Sequence, residues 1–218
     1  MPRPPVLAPP RVSPPDLPPH LEEGSRPVRG GSWSQVQWTA LEPITDAAHT
    51  DIAESAVVAA SVDRLDLTGA TLIDVEIRNI RATALSARSA RLRRVRILAG
   101  RIGTLDLADA EIDELELRDV RIDYLSLAGA RVHDLVVAGC ELGTLDMPQA
   151  KVSRAAFADT RADEVDTRAM RARDLDLRGL DAVSYLDLTS LRGATFSARQ
   201  VAYLAPALAE ALGIRVLD

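Results

Sequence analysis

Acidic residues in this 218-residue chain recur at multiples of 20 positions, and they are the most promising source of chemistry in the sequence. The carboxylates are Asp66, Asp106, Asp146 and Asp166, with Ser86 and Ser126 at the intervening positions. In a structure whose repeat matches this spacing they form one column. Carboxylates in successive repeats, about 4.8 Å apart, would repel, and a spacing of nearly 10 Å reduces the repulsion to roughly 0.4 kcal/mol in water. The column is a candidate docking surface for a charged partner.

Basic residues show the same spacing in two further columns. One contains Arg81, Arg101, Arg121 and Arg161, and the other contains Arg91, Arg131, Lys151 and Arg171, interrupted by Glu111. Such columns could bind charged partners, or they could pair with the acidic residues around the corners of a solvated rod. Exposed ion pairs are common and weak, so the sequence favours the second interpretation.

Residue types that commonly perform catalysis or bind metals are rare and scattered. The single cysteine, Cys140, falls in an apolar position where core packing is favoured over reactivity. The three histidines, His20, His49 and His133, have no cysteine or carboxylate at metal-ligand spacing. No nucleophile has a base beside it, and no glycine-rich phosphate loop is present. We therefore predict no catalysis, no cofactor and no metal.

A five-residue rhythm from about Leu65 to Gly179 must position these columns. In units such as Leu65-Asp66-Leu67 and Leu105-Asp106-Leu107, the first and third residues are apolar and the others are mostly polar or small. A short fixed period indicates a solenoid, in which each repeat buries its apolar side against its neighbours. Third-position residues should be fully buried, each contributing roughly 1.5–3 kcal/mol. Examples of such residues are Leu67, Leu107, Leu117 and Leu127.

The segments on either side of the repeats differ in composition. Residues 1–31 are rich in proline, which predicts an extended or disordered tail, or a strap along the solenoid. Such a segment could also dock on an aromatic groove of a partner. Residues 32–49 contain Trp33 and Trp38 and are predicted to form an N-terminal cap, with a ligand-stacking platform as the less favoured alternative. The repeats proper cover 50–182.

After the repeats the register changes, and the period becomes helical. Residues 183–196 are predicted to form an irregular last coil, and 197–218 a helical cap. Ser197 and Gln200 have capping-box spacing, and Pro206 should kink or split the helix. One face of the helix is predicted to cover the final coil and to pair two copies of the chain. Its residues are Val201, Leu204, Leu208 and Leu212.

The repeat units between about Thr50 and Ala182 resemble the pentapeptide-repeat family, and Leu204 to Ile214 resembles the helical ends of its actinobacterial members. The resemblance implies an all-β solenoid: a right-handed quadrilateral β-helix with four pentapeptides per coil and a short C-terminal α-helical cap. Some members of the family mimic duplex DNA and bind DNA gyrase. The charge pattern fits that role poorly, because 21 acidic and 18 basic residues lie between Leu65 and Asp181.

The composition narrows the choice of function. A net charge of −6 argues against direct nucleic-acid binding, which usually needs a basic face, and no apolar run approaches the roughly 20 residues needed to span a bilayer. A single cysteine and a proline-rich N-terminus without a secretory signal indicate the cytoplasm. We predict a non-enzymatic scaffold that presents a rigid rod to a protein partner of unknown identity, and as the alternative a DNA-mimicking modulator of gyrase or topoisomerase. Binding to an ice or crystal surface is not supported, because the threonines do not align in ranks.

Overall fold

The five-residue units fold into coils of four units each, and the coils stack in parallel. The computed structural model describes residues 7–216, as a β-solenoid of about eight turns with a single C-terminal helix, α1 (Ala198–Ala211). Residues 1–6 of the predicted tail and 217–218 of the predicted helical cap lie outside the described residues. The strands are β1 (Glu22–Glu23), β2 (Ser32–Ser34), β3 (Val36–Trp38), β4 (Ile44–Asp46), β5 (Asp51–Val58), β6 (Ser61–Asp66), β7 (Thr71–Ser86), β8 (Arg91–Asp106), β9 (Glu111–Ser126), β10 (Arg131–Ala138), β11 (Glu141–Asp146), β12 (Lys151–Ala158), β13 (Thr160–Asp166), β14 (Arg171–Asp176), β15 (Leu180–Leu186) and β16 (Ala194–Thr195).

Parallel pairing keeps a constant offset of four units through the middle of the rod. Leu65 pairs with Leu85, Leu85 with Leu105, and Leu105 with Leu125. Residues that are one coil apart in the sequence therefore lie directly above one another. The columns expected from the sequence are thus confirmed as spatial columns.

The core consists of the first and third residues of each unit, whose side chains point inward. Leu67 is 4% exposed, and the other three third-position leucines are at most 1% exposed, as predicted. Cys140 is also buried, with its Sγ 3.4 Å from the carbonyl oxygen of Ala138. Burial raises the pKa of this thiol, so it packs as a small apolar group.

In the coils between residues 45 and 164, three of the four corners turn through a left-handed residue at the fifth position of the unit. Gly69, Asp74 and Asn79 illustrate these corners, with φ of 67°, 56° and 53°. The residues of the fourth corner, such as Thr104 and Tyr124, lack a positive φ and continue a strand. β-Branched and aromatic side chains disfavour the left-handed region, which explains why they occur at this corner.

Residues 32–49, predicted to be a cap, instead form the first coil. β2 and β3 pair with β5 at an offset of 19, and β4 pairs with β6 at 20. The rings of Trp33 and Trp38 pack edge to face with centroids 6.1 Å apart, and Trp38 is buried. The preceding segment covers them, because the indole nitrogens donate to the hydroxyl and the carbonyl of Ser25. The aromatic pair therefore provides bulk inside the terminal coil.

At the other end the register changes, as expected, but the one-residue slip predicted at Leu186 is wrong, because Leu186 still pairs with Asp166 at an offset of 20. β14 pairs with β16 at an offset of 19, after a 3₁₀ helix (Leu188–Leu191) that Asp187 caps. The predicted capping box of Ser197 and Gln200 begins α1, and the Gln200 amide also donates to the carbonyls of Leu177 and Leu180. The alternative that Pro206 splits the helix is wrong, because α1 is continuous through it.

Candidate functional surfaces

The column of Asp66, Asp106, Asp146 and Asp166 lies on one face of the rod, but three of its carboxylates are bound to their own corner. Asp66, Asp106 and Asp166 each accept a hydrogen bond from the backbone N–H two residues later, at 3.0 Å in every case. This local bond satisfies an amide at the turn that follows the strand. These three aspartates thus have a structural role that the spacing alone did not reveal.

Asp146 is the exception, and the sequence explains why. The residue two positions later is Pro148, which has no N–H to donate. Asp146 instead accepts hydrogen bonds from the hydroxyls of Tyr124 at 2.8 Å and Ser126 at 3.1 Å. Among the four acids of the column, this one is held by hydroxyl groups of the preceding coil.

Arginine side chains neutralise much of the column's charge. Arg168 donates to both carboxylate oxygens of Asp166 and lowers its pKa, while burial acts in the opposite direction. Burial also acts to raise the pKa of Asp66, but hydrogen bonds from Thr68 and Arg64 lower it overall. These acids stay ionised at neutral pH, and most of their oxygens already have partners.

The basic columns also pair with neighbouring acids. Arg121 lies 3.6 Å from Asp123 and 3.3 Å from Glu141. On the second column Glu111 lies between Arg91 and Arg131, at 3.4 and 3.1 Å. The sides of the rod therefore carry a mixed and largely compensated charge, as the favoured interpretation of the sequence expected.

Proline-rich residues 7–19, which we call the N-terminal strap, lie along one corner of the rod. Four of their backbone N–H groups donate to carboxylates in the order Ala8 to Asp174 (3.1 Å), Arg11 to Asp134 (2.8 Å), Ser13 to Glu114 (2.7 Å) and Asp16 to Asp74 (2.9 Å). The strap therefore runs antiparallel to the direction in which the coils advance. The sequence left open whether this segment is an extended or disordered tail or a strap along the solenoid. In the structure it is an extended strap.

The strap meets a column of fifth-position residues, which we call the strap ladder. Its members are Asp74, Arg94, Glu114, Asp134, Arg154 and Asp174. Arg94 forks onto Asp74 from the next coil, and Arg154 forks onto Asp134 in the same way. Each aspartate then presents the oxygen Oδ1 to the strap. Both aspartates are only 4% exposed.

The electrostatics of the strap ladder keep these two aspartates ionised. The Arg94 hydrogen bond lowers the pKa of Asp74 against the opposing effect of burial, and the Asp16 N–H adds to the lowering. Burial acts to raise the pKa of Asp134, yet hydrogen bonds from Arg154 and Arg11 lower it overall. Both are charge-assisted acceptors, which form stronger hydrogen bonds than neutral ones.

The C-terminal helix covers the last coil with only part of its apolar face. Leu204 is buried and Leu208 is half-buried, whereas Val201 is 45% and Leu212 73% exposed. Beside them lies a groove of about 360 Å³ between α1 and the last coil, partly lined by Leu188, Leu191 and Phe196. The four residues predicted to form a cap or dimer surface thus divide into two that pack and two that face solvent.

Within residues 7–216, no group of three or more histidine, cysteine or acidic side chains is arranged to hold a metal ion. None of the helices described there has the length and apolarity that a membrane span needs.

Sequence reasoning missed the strap ladder as a site, although a signal was present. Acids occupy the fifth position of the unit at 74, 114, 134 and 174, and the residues of the strap that can donate lie between proline pairs. Neither pattern shows on its own where the strap lies, because the recognised groups are backbone amides.

Comparison with known proteins finds similarity to solved structures of pentapeptide-repeat proteins. No protein-family model and no curated protein sequence matches the chain. The chain is similar to HetL, a pentapeptide repeat protein involved in heterocyst differentiation regulation from the cyanobacterium Nostoc sp. strain PCC 7120. The identity is 15%, 77% of this chain and 85% of HetL are covered, and the TM-score is 0.42. The chain is also similar to two trypsin-treated variants of QnrB1, a plasmid-mediated fluoroquinolone resistance protein. For the first variant the identity is 12%, 89% of this chain and 100% of QnrB1 are covered, and the TM-score is 0.34. For the second the identity is 13%, the coverages are 89% and 98%, and the TM-score is 0.30.

Proposed function

We propose that this chain, a pentapeptide-repeat β-solenoid, is a non-enzymatic scaffold that presents a rigid rod to a protein partner and pairs with a second copy of itself through α1. The observation that supports the pairing is the solvent-exposed apolar face of α1 at Val201 and Leu212. Contiguous exposed apolar surface at one end of a molecule is typical of an interaction site. A rigid rod also loses little conformational entropy when it docks.

The C-terminal end suits this role better than the sides of the rod. On the sides, arginines and acids already pair with one another, so a charged partner would have to break those pairs. At the C-terminal end, the groove beside α1 is mostly apolar, and a symmetric mate could fill it with the same helix. Leu204 is not part of the proposed interface, because it packs on the last coil.

A double substitution tests the pairing. Val201→Glu with Leu212→Glu places two charges in the proposed interface, and we expect the protein to change from dimer to monomer in light scattering coupled to size exclusion. Ala207→Glu introduces the same side chain at an exposed position on another face of the helix, and this variant should remain dimeric. A wild-type protein that is monomeric at 100 µM, a concentration chosen for the test, would contradict the proposal.

A second candidate is modulation of DNA gyrase by mimicry of duplex DNA. The feature that favours it is the column of Asp66, Asp106, Asp146 and Asp166 along a rod, which extends to Asp46 below Asp66. A supercoiling assay across a titration of the protein, at low and moderate salt, tests this candidate. Salt-sensitive inhibition that is lost in Asp106→Asn would support it. If the protein does not inhibit supercoiling even at high molar excess, the gyrase candidate is contradicted and the scaffold proposal is retained. A cytoplasmic location stays a prediction.

A further inference from the structure

We propose that the strap ladder is a binding site for extended proline-rich peptides of a partner protein, and that the N-terminal strap is its resident, displaceable occupant. The proposal goes beyond the pairing through α1. The two surfaces share no residue, so failure of one test leaves the other proposal intact. The strap shows directly what kind of chain the site accepts.

The site recognises the backbone of its occupant. Arg11, Ser13 and Asp16 donate through their N–H groups, while their side chains are exposed to solvent. Any residue except proline could therefore supply a donor at those three positions. The requirement on a ligand is an extended chain whose free N–H groups are separated by three, two and three residues.

The spacing of these donors fits the spacing of the coils. A polyproline II segment advances about 3.1 Å per residue, so the eight steps from Ala8 to Asp16 span about 25 Å. Asp174 and Asp74 are five coils apart, which is about 24 Å at the usual distance between strands. Proline pairs between the donors keep the segment extended before it binds, which reduces the entropy lost on docking.

The acceptors are prepared independently of the strap. Arg94 and Arg154 orient Asp74 and Asp134 from within the solenoid, and Ala8 to Asp16 contribute no residue to the hydrophobic core. Removal of the strap would leave Asp74 and Asp134 oriented by their arginines, in a column with the carboxylates of Glu114 and Asp174. A peptide from a partner would then compete with the strap for the same oxygens.

The test uses the full chain. Arg11→Pro with Ser13→Pro removes the two central donors without disfavouring an extended backbone, so the strap should release and the amides of Ala8 and Asp16 should exchange faster. A fluorescent peptide with the sequence of residues 7–19 is then titrated and followed by anisotropy. We expect it to bind this released variant at least tenfold more tightly than the wild type, whose tethered strap competes at an effective concentration in the millimolar range.

Two controls test whether the peptide binds at the strap ladder. A peptide that carries the same two prolines should bind the released variant at least tenfold more weakly. Adding Glu114→Ala to the released variant should weaken binding severalfold, whereas Asp113→Ala, the neighbouring exposed carboxylate, should leave it unchanged. Equal binding of both peptides, or no binding to a released variant with an unchanged circular dichroism spectrum, would overturn the proposal. So would a released variant that dimerises through its own strap.

Discussion

At the scale of single residues, the second-position aspartates show how one residue type can stabilise a corner while appearing to mark a docking surface. Asp166 accepts hydrogen bonds from the backbone N–H of Arg168 and from the Nε and Nη2 of its guanidinium group. Asp66 and Asp106 form the same backbone bond. The acids recur at the same place in the coil because the corner that they stabilise recurs there.

Substitution of Asp166 should therefore affect stability before it affects binding. We expect Asp166→Ala to lower the free energy of unfolding by about 1–2 kcal/mol, since a charge-assisted acceptor is lost. Asp166→Asn, which keeps one acceptor oxygen, should cost about half as much. Urea unfolding followed by circular dichroism measures both, with the exposed Asp163→Ala as the control. An equal loss in all three variants would contradict a role in the corner.

Docking of the strap should depend on pH through Asp74 and Asp134. The folded-state pKa of each lies below the ordinary value of 3.8, so the stabilisation is complete above that value and is lost as the pH falls through the lowered pKa. The amide proton shifts of Arg11 and Asp16 should therefore titrate with midpoints below 3.8 in a nuclear magnetic resonance experiment. Midpoints above 3.8 would show that the two carboxylates are not stabilised by the strap and the arginines.

At the scale of elements, the four corners of a coil are not equivalent. Ala59 turns with φ of 54°, whereas Ala84 lies within β7 and has no positive φ. Glycine adopts a positive φ without steric cost, but it weakens a strand. The same substitution should therefore have opposite effects at these two positions.

We expect Ala59→Gly to raise the free energy of unfolding by about 0.5–1 kcal/mol, and Ala84→Gly to lower it by about the same amount. Thermal and urea unfolding of the two variants against wild type measure the difference. Because each variant is the control for the other, a change of the same sign in both would refute the assignment of the corners.

The coils could be predicted from the sequence because inward residues such as Leu105 and Leu125 are local, periodic and apolar. The position of the strap could not, because proline content indicates an extended chain without indicating its partner. The aspartate column was located correctly, but its hydrogen bonds depend on turn geometry, as Asp146 before Pro148 shows. The first coil was taken for a cap, since its offset of 19 obscures the repeat.

At the scale of the whole molecule, each coil contacts only its neighbours, so stability should depend on position along the rod. Leu115 is fully buried in the middle of the rod, and Leu191 is buried at its C-terminal end. A large-to-small substitution in the middle removes packing on two sides, and at the end it removes packing on one.

Leu115→Ala should therefore lower the global free energy of unfolding by about 2–5 kcal/mol. Leu191→Ala should mainly increase opening of the last coil and α1. Hydrogen exchange followed by mass spectrometry distinguishes the two, because the first variant should accelerate exchange throughout the coils and the second only near the C-terminus. Uniform acceleration in both would indicate a single cooperative unit.

The antiparallel course of the N-terminal strap couples two periodic structures that share no covalent constraint along their length. Three residues of polyproline II advance about 9.3 Å, and two coils advance about 9.6 Å, so the repeat lengths of strap and rod nearly match but are not equal. Their small mismatch accumulates with length, which limits how many coils one strap can follow in step. A duplication of one coil would therefore shift every strap contact beyond it, and the strap would follow the longer rod in full only with a matching change in the proline-rich segment.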